Sequence, residues 1–258
     1  MNLPRAIVWD WNGTLLDDAQ ACINAINGLL RERGLPPLDR DRYRAAFGFP
    51  VRAFYRAIGI VADDAEWESL AVAFHARYRR EPAVVPAEAR AALEWVQARA
   101  VPQSILSACE QRLLDSQVAA HGLTRHFRRI QGTDNLHGGS KIEVGRRLLE
   151  QVPADGWLLI GDTLHDAEVA AALGCGCLLV ANGHQSRARL AQAGCPVIDS
   201  LAELSAVLES RGTRALLPPP LGPTIRNAGC NRVHGLVVPL ASVGGQARFI
   251  SQLGQDYA

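Results

Sequence analysis

Two short acidic segments carry the residue types that could do chemistry in this chain of 258 residues. One is Asp10-Trp11-Asn12-Gly13-Thr14, directly after the apolar run Ala6-Ile7-Val8-Trp9. The other is Gly161-Asp162-Thr163-Leu164-His165-Asp166, directly after Trp157-Leu158-Leu159-Ile160. Carboxylates gathered where strands stop are costly unless a cation compensates them, and a hard, oxygen-loving Mg²⁺ does so with one or two carboxylates plus a substrate phosphate. The chain has a further candidate of its own. Of the 27 Lys+Arg positions 26 are arginine, and the single lysine, Lys141, points to a site where a planar guanidinium does not serve. Ser107 closes the run Val101-Pro102-Gln103-Ser104-Ile105-Leu106, and its hydroxyl with the N–H groups from Ala108 onward would suit a phosphate oxygen. Each segment alone has a plainer reading: turn chemistry for Asp10 to Gly13, a helix cap for Asp166 or Ser107, and a chance survivor for Lys141.

The elements that must position these groups follow from periodicity. The apolar, partly β-branched runs read as buried parallel strands, and in open α/β sheets ligands bind beyond the carboxyl ends of such strands. Gly13 lets the backbone turn close to a ligand. Residues 19–33 carry a helical stripe of Cys22, Ile23, Ile26, Leu29 and Leu30, stopped by Gly34. Residues 64–80 place Trp67, Leu70, Ala71 and Phe74 on one helical face before Pro82 and Pro86 punctuate a return to the core. Asp17 and Asp18 read as acids at the start of the first of these helices, where the dipole favours them. Further helical patterns cover residues 167–173 and 201–208.

In this order the four segments resemble the haloacid dehalogenase superfamily of phosphohydrolases. Its motifs are D-x-D-G-T at the first strand, S/T at the second, a lone K before the fourth and G-D-x-x-x-D at the fourth. The resemblance covers roughly residues 4–208, and the block of helices between the first two motif strands resembles the helical cap of subfamily I. It implies an α/β fold: a Rossmannoid core with a parallel sheet (residues 1–16 and 97–210) and an inserted helical cap (residues 17–96). It further implies Mg²⁺-dependent hydrolysis of a phosphomonoester through an aspartyl-phosphate. Asp10 would be the nucleophile, Thr14, Ser107 and Ala108 would face the phosphate, and Lys141 would pair Asp10 with the phosphate and lessen anionic repulsion. Asp10, the Asn12 carbonyl, Asp162 and Asp166 would hold the metal. Such caps close over the site and choose the substrate. Within the cap, the turn Phe47-Gly48-Phe49-Pro50-Val51-Arg52 is the candidate substrate contact. Arg52 could clamp a carboxylate or second phosphate, which makes a small metabolite such as phosphoglycolate the expected partner; the alternative is that Arg52 is a solvated helix charge.

One position departs from the family pattern. The second Asp, which protonates the leaving oxygen and then activates water, is Asn12 here, and an amide cannot exchange a proton in that way. General acid–base help is worth about 10² to 10⁴ in rate. His165 and His184 are candidate substitutes; the plainer reading of each is an exposed loop histidine with no role. Two function classes therefore compete: a phosphatase, slow or restricted to good leaving groups, and a catalytically weakened phosphate-binding or sensing protein. A dehalogenase, which also lacks the second Asp, fits poorly with Asp162 and Asp166 because that branch needs no metal.

Composition bounds the rest. The formal net charge of +1 gives no global electrostatic footprint for nucleic acid. No run of about 18 apolar residues and no signal-peptide pattern is found, so a cytoplasmic protein that does not cross a membrane is expected. The six cysteines (22, 109, 175, 177, 195 and 230) lack zinc-site spacing and are expected as thiols. Residues 211–258, Pro- and Gly-rich with five arginines and one acid, read as an appended disordered tail.

Overall fold

The computed structural model describes residues 3–134, 141–151 and 156–211. The expected tail, residues 211–258, lies outside them from residue 212 onward, Cys230 included. Six parallel strands form one sheet: β1 (Ala6–Trp9), β2 (Gln103–Glu110), β3 (Arg129–Thr133), β4 (Trp157–Gly161), β5 (Gly176–Val180) and β6 (Val197–Ile198). Their order is β3-β2-β1-β4-β5-β6, so the order reverses between β1 and β4, where ligands bind in doubly wound sheets. Asp10 follows β1 and Asp162 follows β4, and these strands pair in register, with Trp9 opposite Ile160. The sheet itself thus brings the two acidic segments together.

Ten helices lie among the described residues: α1 (Ala19–Glu32), α2 (Arg40–Ala46), α3 (Val51–Ala57), α4 (Asp64–Tyr78), α5 (Ala87–Ala98), α6 (Gln111–Ala120), α7 (Ile142–Gln151), α8 (Leu164–Leu173), α9 (Arg187–Leu190) and α10 (Leu204–Arg211). Alternation along the strands divides the core, as pleating requires. Ile7, Trp9, Ile105 and Ile160 pack on one face with Leu93 and Val96 of α5 and Leu114 of α6. Val8, Leu106, Leu159 and Leu179 pack on the other with Val169 and Leu173 of α8. A separate cluster joins α1 to α4 through Ile23, Ile26, Leu30, Tyr43, Phe54 and Leu70.

That partition places α5 with the sheet, whereas the expected cap ran to residue 96. Residues Val85, Ala89, Ala92, Leu93 and Val96 belong to the sheet's own cluster, so α5 covers the sheet rather than the site. The insertion leaves and returns where Asp17 and Val84 form an antiparallel bridge, with the Asp17 N–H donating to the Val84 carbonyl at 2.8 Å. The inserted helices are α1 to α4.

Candidate active site

Asp10 is buried at the end of β1, where its Oδ1 accepts from the Trp11 N–H at 2.8 Å and lies 2.9 Å from Lys141 Nζ. The same ammonium lies 2.5 Å from Asp166 Oδ1. Asp166 is not the N-cap of α8 but sits one turn in, where its Oδ2 accepts from the N–H groups of Asp162 and Thr163 and from Thr163 Oγ1. Lys141 is 1 % exposed, which accounts for its type: a compact point charge fills a closed gap between two carboxylates that a guanidinium fork would overfill. Asp162 is fully buried, accepting from Thr14 Oγ1 at 3.3 Å and from the His184 N–H at 2.5 Å. Two glycines allow this: a Cβ at Gly13, whose φ is +75°, or at Gly183 would collide with the Asp162 carboxylate.

Electrostatics at this cluster are dominated by burial. Burial raises the Asp10 carboxyl; Lys141 opposes it, Asp166 and Asp162 add to it, and the result is about 8. Asp162 is raised by burial to about 6 although His184 draws it down. Burial also acts on Asp166, but Lys141 and the Thr163 donors outweigh it and hold this carboxyl below its ordinary value. The neighbouring carboxylates keep Lys141 protonated against its burial. Asp10, Asp162 and Asp166 each offer an oxygen within 4.8 Å of the others, an all-oxygen donor set with negative charge in excess. Such a set fits Mg²⁺.

Position 12 is occupied rather than merely lacking an acid. Asn12 Nδ2 donates to Asp18 Oδ2 at 2.7 Å and to the Tyr78 hydroxyl at 3.1 Å, and Asn12 Oδ1 accepts from Ser107 Oγ at 3.4 Å. Asp18 corrects the sequence expectation most sharply. It is the residue before α1, yet it makes no side-chain cap there; it is 1 % exposed and turned into the site. Its carboxylate also accepts from the Gly13 N–H at 2.9 Å and the Tyr78 hydroxyl at 2.7 Å and pairs with His184 Nε2 at 3.3 Å. Burial alone would raise it, but His184, Tyr78 and Asn12 hold it below its ordinary value. Burial likewise pulls the His184 imidazole down, yet Asp18 first and then Asp162 and Asp10 raise it to about 9. The other ring nitrogen, Nδ1, lies 2.8 Å from the Tyr43 hydroxyl. No local pattern marks Asp18, because an acid before a helix has an ordinary reason to be there.

A cavity of about 150 Å³ opens over this cluster, lined at one end by Asp10, Asn12, Ser107, Ala108, Lys141 and His184. Aromatic and aliphatic side chains of α1 to α4 line the other. His165 lies behind the lining rather than in it: its ring stacks on Phe49, its Nε2 accepts from the Lys141 N–H at 3.4 Å, and Nδ1 contacts Glu168 Oε2 at 3.1 Å. Arg52 does not line the cavity either. It pairs with Asp64 at 2.6 Å, donates to the Ala62 carbonyl and lies over Trp67, the setting of a helix charge. Phe47, Phe49 and Val51 of the same turn do line the cavity. No helix among the described residues is long and apolar enough to cross a membrane.

Comparison with known proteins agrees with this architecture. The profile of the family described as haloacid dehalogenase-like hydrolase matches residues 7–180. A phosphoglycolate phosphatase of Chromobacterium violaceum is 30% identical over 220 residues, covering 79% of this chain and 97% of that protein. One of Pseudomonas fluorescens is 27% identical, covering 86% of this chain and 81% of that protein. The crystal structure of a predicted phosphatase from Clostridium acetobutylicum superposes with a TM-score of 0.70 at 20% identity, covering 80% of this chain and 99% of that one.

Proposed function

We propose, from the premise that this chain belongs to the haloacid dehalogenase-like hydrolase family and is a phosphatase of it, that it hydrolyses a small phosphomonoester through a phosphoryl group carried on Asp10. The observation that carries the reading is Lys141 Nζ set between Asp10 and Asp166 on the floor of a cavity that Ser107 also lines. A carboxylate oxygen of Asp10 attacks phosphorus as the bond to the leaving oxygen breaks, and water then attacks the phosphoryl-aspartate, releasing phosphate and restoring Asp10. Lys141 screens the anionic nucleophile from the anionic substrate, while the Ser107 hydroxyl and the N–H of Ala108 bind phosphate oxygens. Asp10, Asp162 and the Asn12 carbonyl would hold Mg²⁺, with Asp166 in support because its oxygens already serve Lys141 and Thr163. The metal supplies neutralisation of phosphoryl charge.

The proton for the leaving oxygen is assigned to His184, which lines the same cavity and is held by Asp18 on one nitrogen and Tyr43 on the other. Asn12 then acts by fixing Asp18. A second reading, a phosphate-binding protein without turnover, draws on that same engaged amide, which has no proton to pass on. Release of phosphate from p-nitrophenyl phosphate with Mg²⁺ and with EDTA decides between them. Turnover that needs Mg²⁺ and is lost in Asp10→Asn supports the phosphatase; phosphate binding without turnover supports the second reading. Phosphoglycolate, named in the relatives, is the reference substrate.

A further inference from the structure

The far wall of the cavity has a chemistry that phosphoglycolate does not match. Ile26, Phe47, Phe54, Trp67, Leu70 and Phe74, drawn from α1, the α2–α3 turn, α3 and α4, form it. Tyr43, Phe47 and Phe54 lie edge to face or stacked at centroid separations of 5.2 to 5.8 Å, which fixes the wall's shape. Among the described residues no arginine lines the cavity, and its one lysine is already held by two carboxylates. His184 and Asp18 hold each other, Glu110 caps α6 by accepting from the N–H groups of Arg112 and Leu113, and His75 is the other basic group of the lining. Nearby arginines face away: Arg44 donates to the carbonyls of Ala181 and Gln185, and Arg189 to that of Ala45. A carboxylate on the leaving group would be desolvated against aromatic rings, which is unfavourable.

We propose that the organic part of the natural phosphoester is uncharged and apolar, of the size of one aromatic ring or a branched hydrocarbon, and that the aromatic wall of α1 to α4 selects it. The volume sets an upper limit: the cavity of about 150 Å³ holds the phosphoryl group as well, so the organic part is no larger than about one ring. This inference rests on the phosphatase reading of the Asp10 end of the same cavity, and the test separates the two.

Calorimetry on Asp10→Asn with Mg²⁺ compares benzyl phosphate with 2-phosphoglycolate, two primary alkyl phosphates that differ in the group presented to the wall; turnover of both by the native protein is followed in parallel. Burying the ring is expected to make benzyl phosphate bind about 10- to 100-fold more tightly. Ala71→Arg, which brings a cation to the wall, is expected to narrow or reverse that ratio. Equal binding, tighter binding of phosphoglycolate, or binding of neither overturns the inference. If benzyl phosphate binds more tightly but neither ester nor p-nitrophenyl phosphate is hydrolysed, the apolar pocket stands and the phosphatase reading falls. If phosphoglycolate is the better ligand and substrate, the reverse holds.

Discussion

At the scale of single residues, the site works by giving each buried charge a named partner. Replacing Lys141 with alanine leaves Asp10 and Asp166 facing each other, and breaking a buried pair in this way is expected to destabilise the protein by about 3 to 5 kcal/mol as well as abolish turnover. Lys141→Arg keeps the charge but not the fit, and phosphate release is expected to be lost with it. Position 12 makes a less intuitive prediction. Asn12→Asp does not simply restore the family's acid, because the new carboxyl would stand where the amide now donates to Asp18 at 2.7 Å, and two carboxylates so close share one proton. Asn12→Asp alone is expected to be destabilised, and adding Asp18→Asn, which returns an amide to the pair, is expected to recover about 1 to 3 kcal/mol in a double-mutant cycle by denaturant unfolding. Additive losses would contradict this account. Lys141 could be picked out from composition because a lone lysine among arginines is conspicuous. Asp18 could not, since its importance lies in partners 60 residues away at Tyr78 and far down the chain at His184.

At the scale of elements, the strands were legible and the helices less so. Continuous apolar runs ending in Asp10, Ser107 and Asp162 announce buried parallel strands, and the switch point between β1 and β4 follows from their order. The side on which α5 packs is decided by Leu93 and Val96 meeting the sheet, a tertiary fact that its local sequence does not carry. The aromatic wall was half visible: one face of α4 showed Trp67, Leu70 and Phe74, but Phe47 and Phe54 join them only when α1 to α4 pack. Arg52 on α3 is a surface pair with an Asp64 side chain that is 95% exposed, so Arg52→Ala is expected to leave turnover within about twofold and stability within about 1 kcal/mol. A large rise in KM for an anionic substrate would restore the clamp. Phe54→Ala, by contrast, empties part of the helical cluster and is expected to cost about 3 to 5 kcal/mol.

At the scale of the whole molecule, the buried acids tie stability to pH and to metal. Asp10 and Asp162 are raised to about 8 and about 6, chiefly by burial. A carboxyl whose folded value exceeds its unfolded one stabilises fully below the unfolded value, about 4, and loses that contribution as pH climbs through the folded one. His184, raised to about 9 by Asp18 against its burial, adds a loss of the same sign at higher pH. The lowered Asp18 and Asp166 act oppositely, their contributions being lost only as pH falls below the ordinary carboxylate range. Metal-free protein should therefore weaken from about pH 5 to about pH 8, while Mg²⁺, which needs the ionised carboxylates, should stabilise increasingly over the same span. Melting temperatures with Mg²⁺ and with EDTA measure this, and a gap that stays constant or shrinks toward pH 8 would contradict the assignment of Asp10 and Asp162 to the metal. The central claim, that Asp10 carries the phosphoryl group, is tested most directly by acid-quenching the protein during turnover with Mg²⁺ and mapping its peptides by mass. The account predicts one added phosphoryl group on the peptide containing Asp10, absent in Asp10→Asn; turnover with no such adduct, or with full activity in Asp10→Asn, would contradict it.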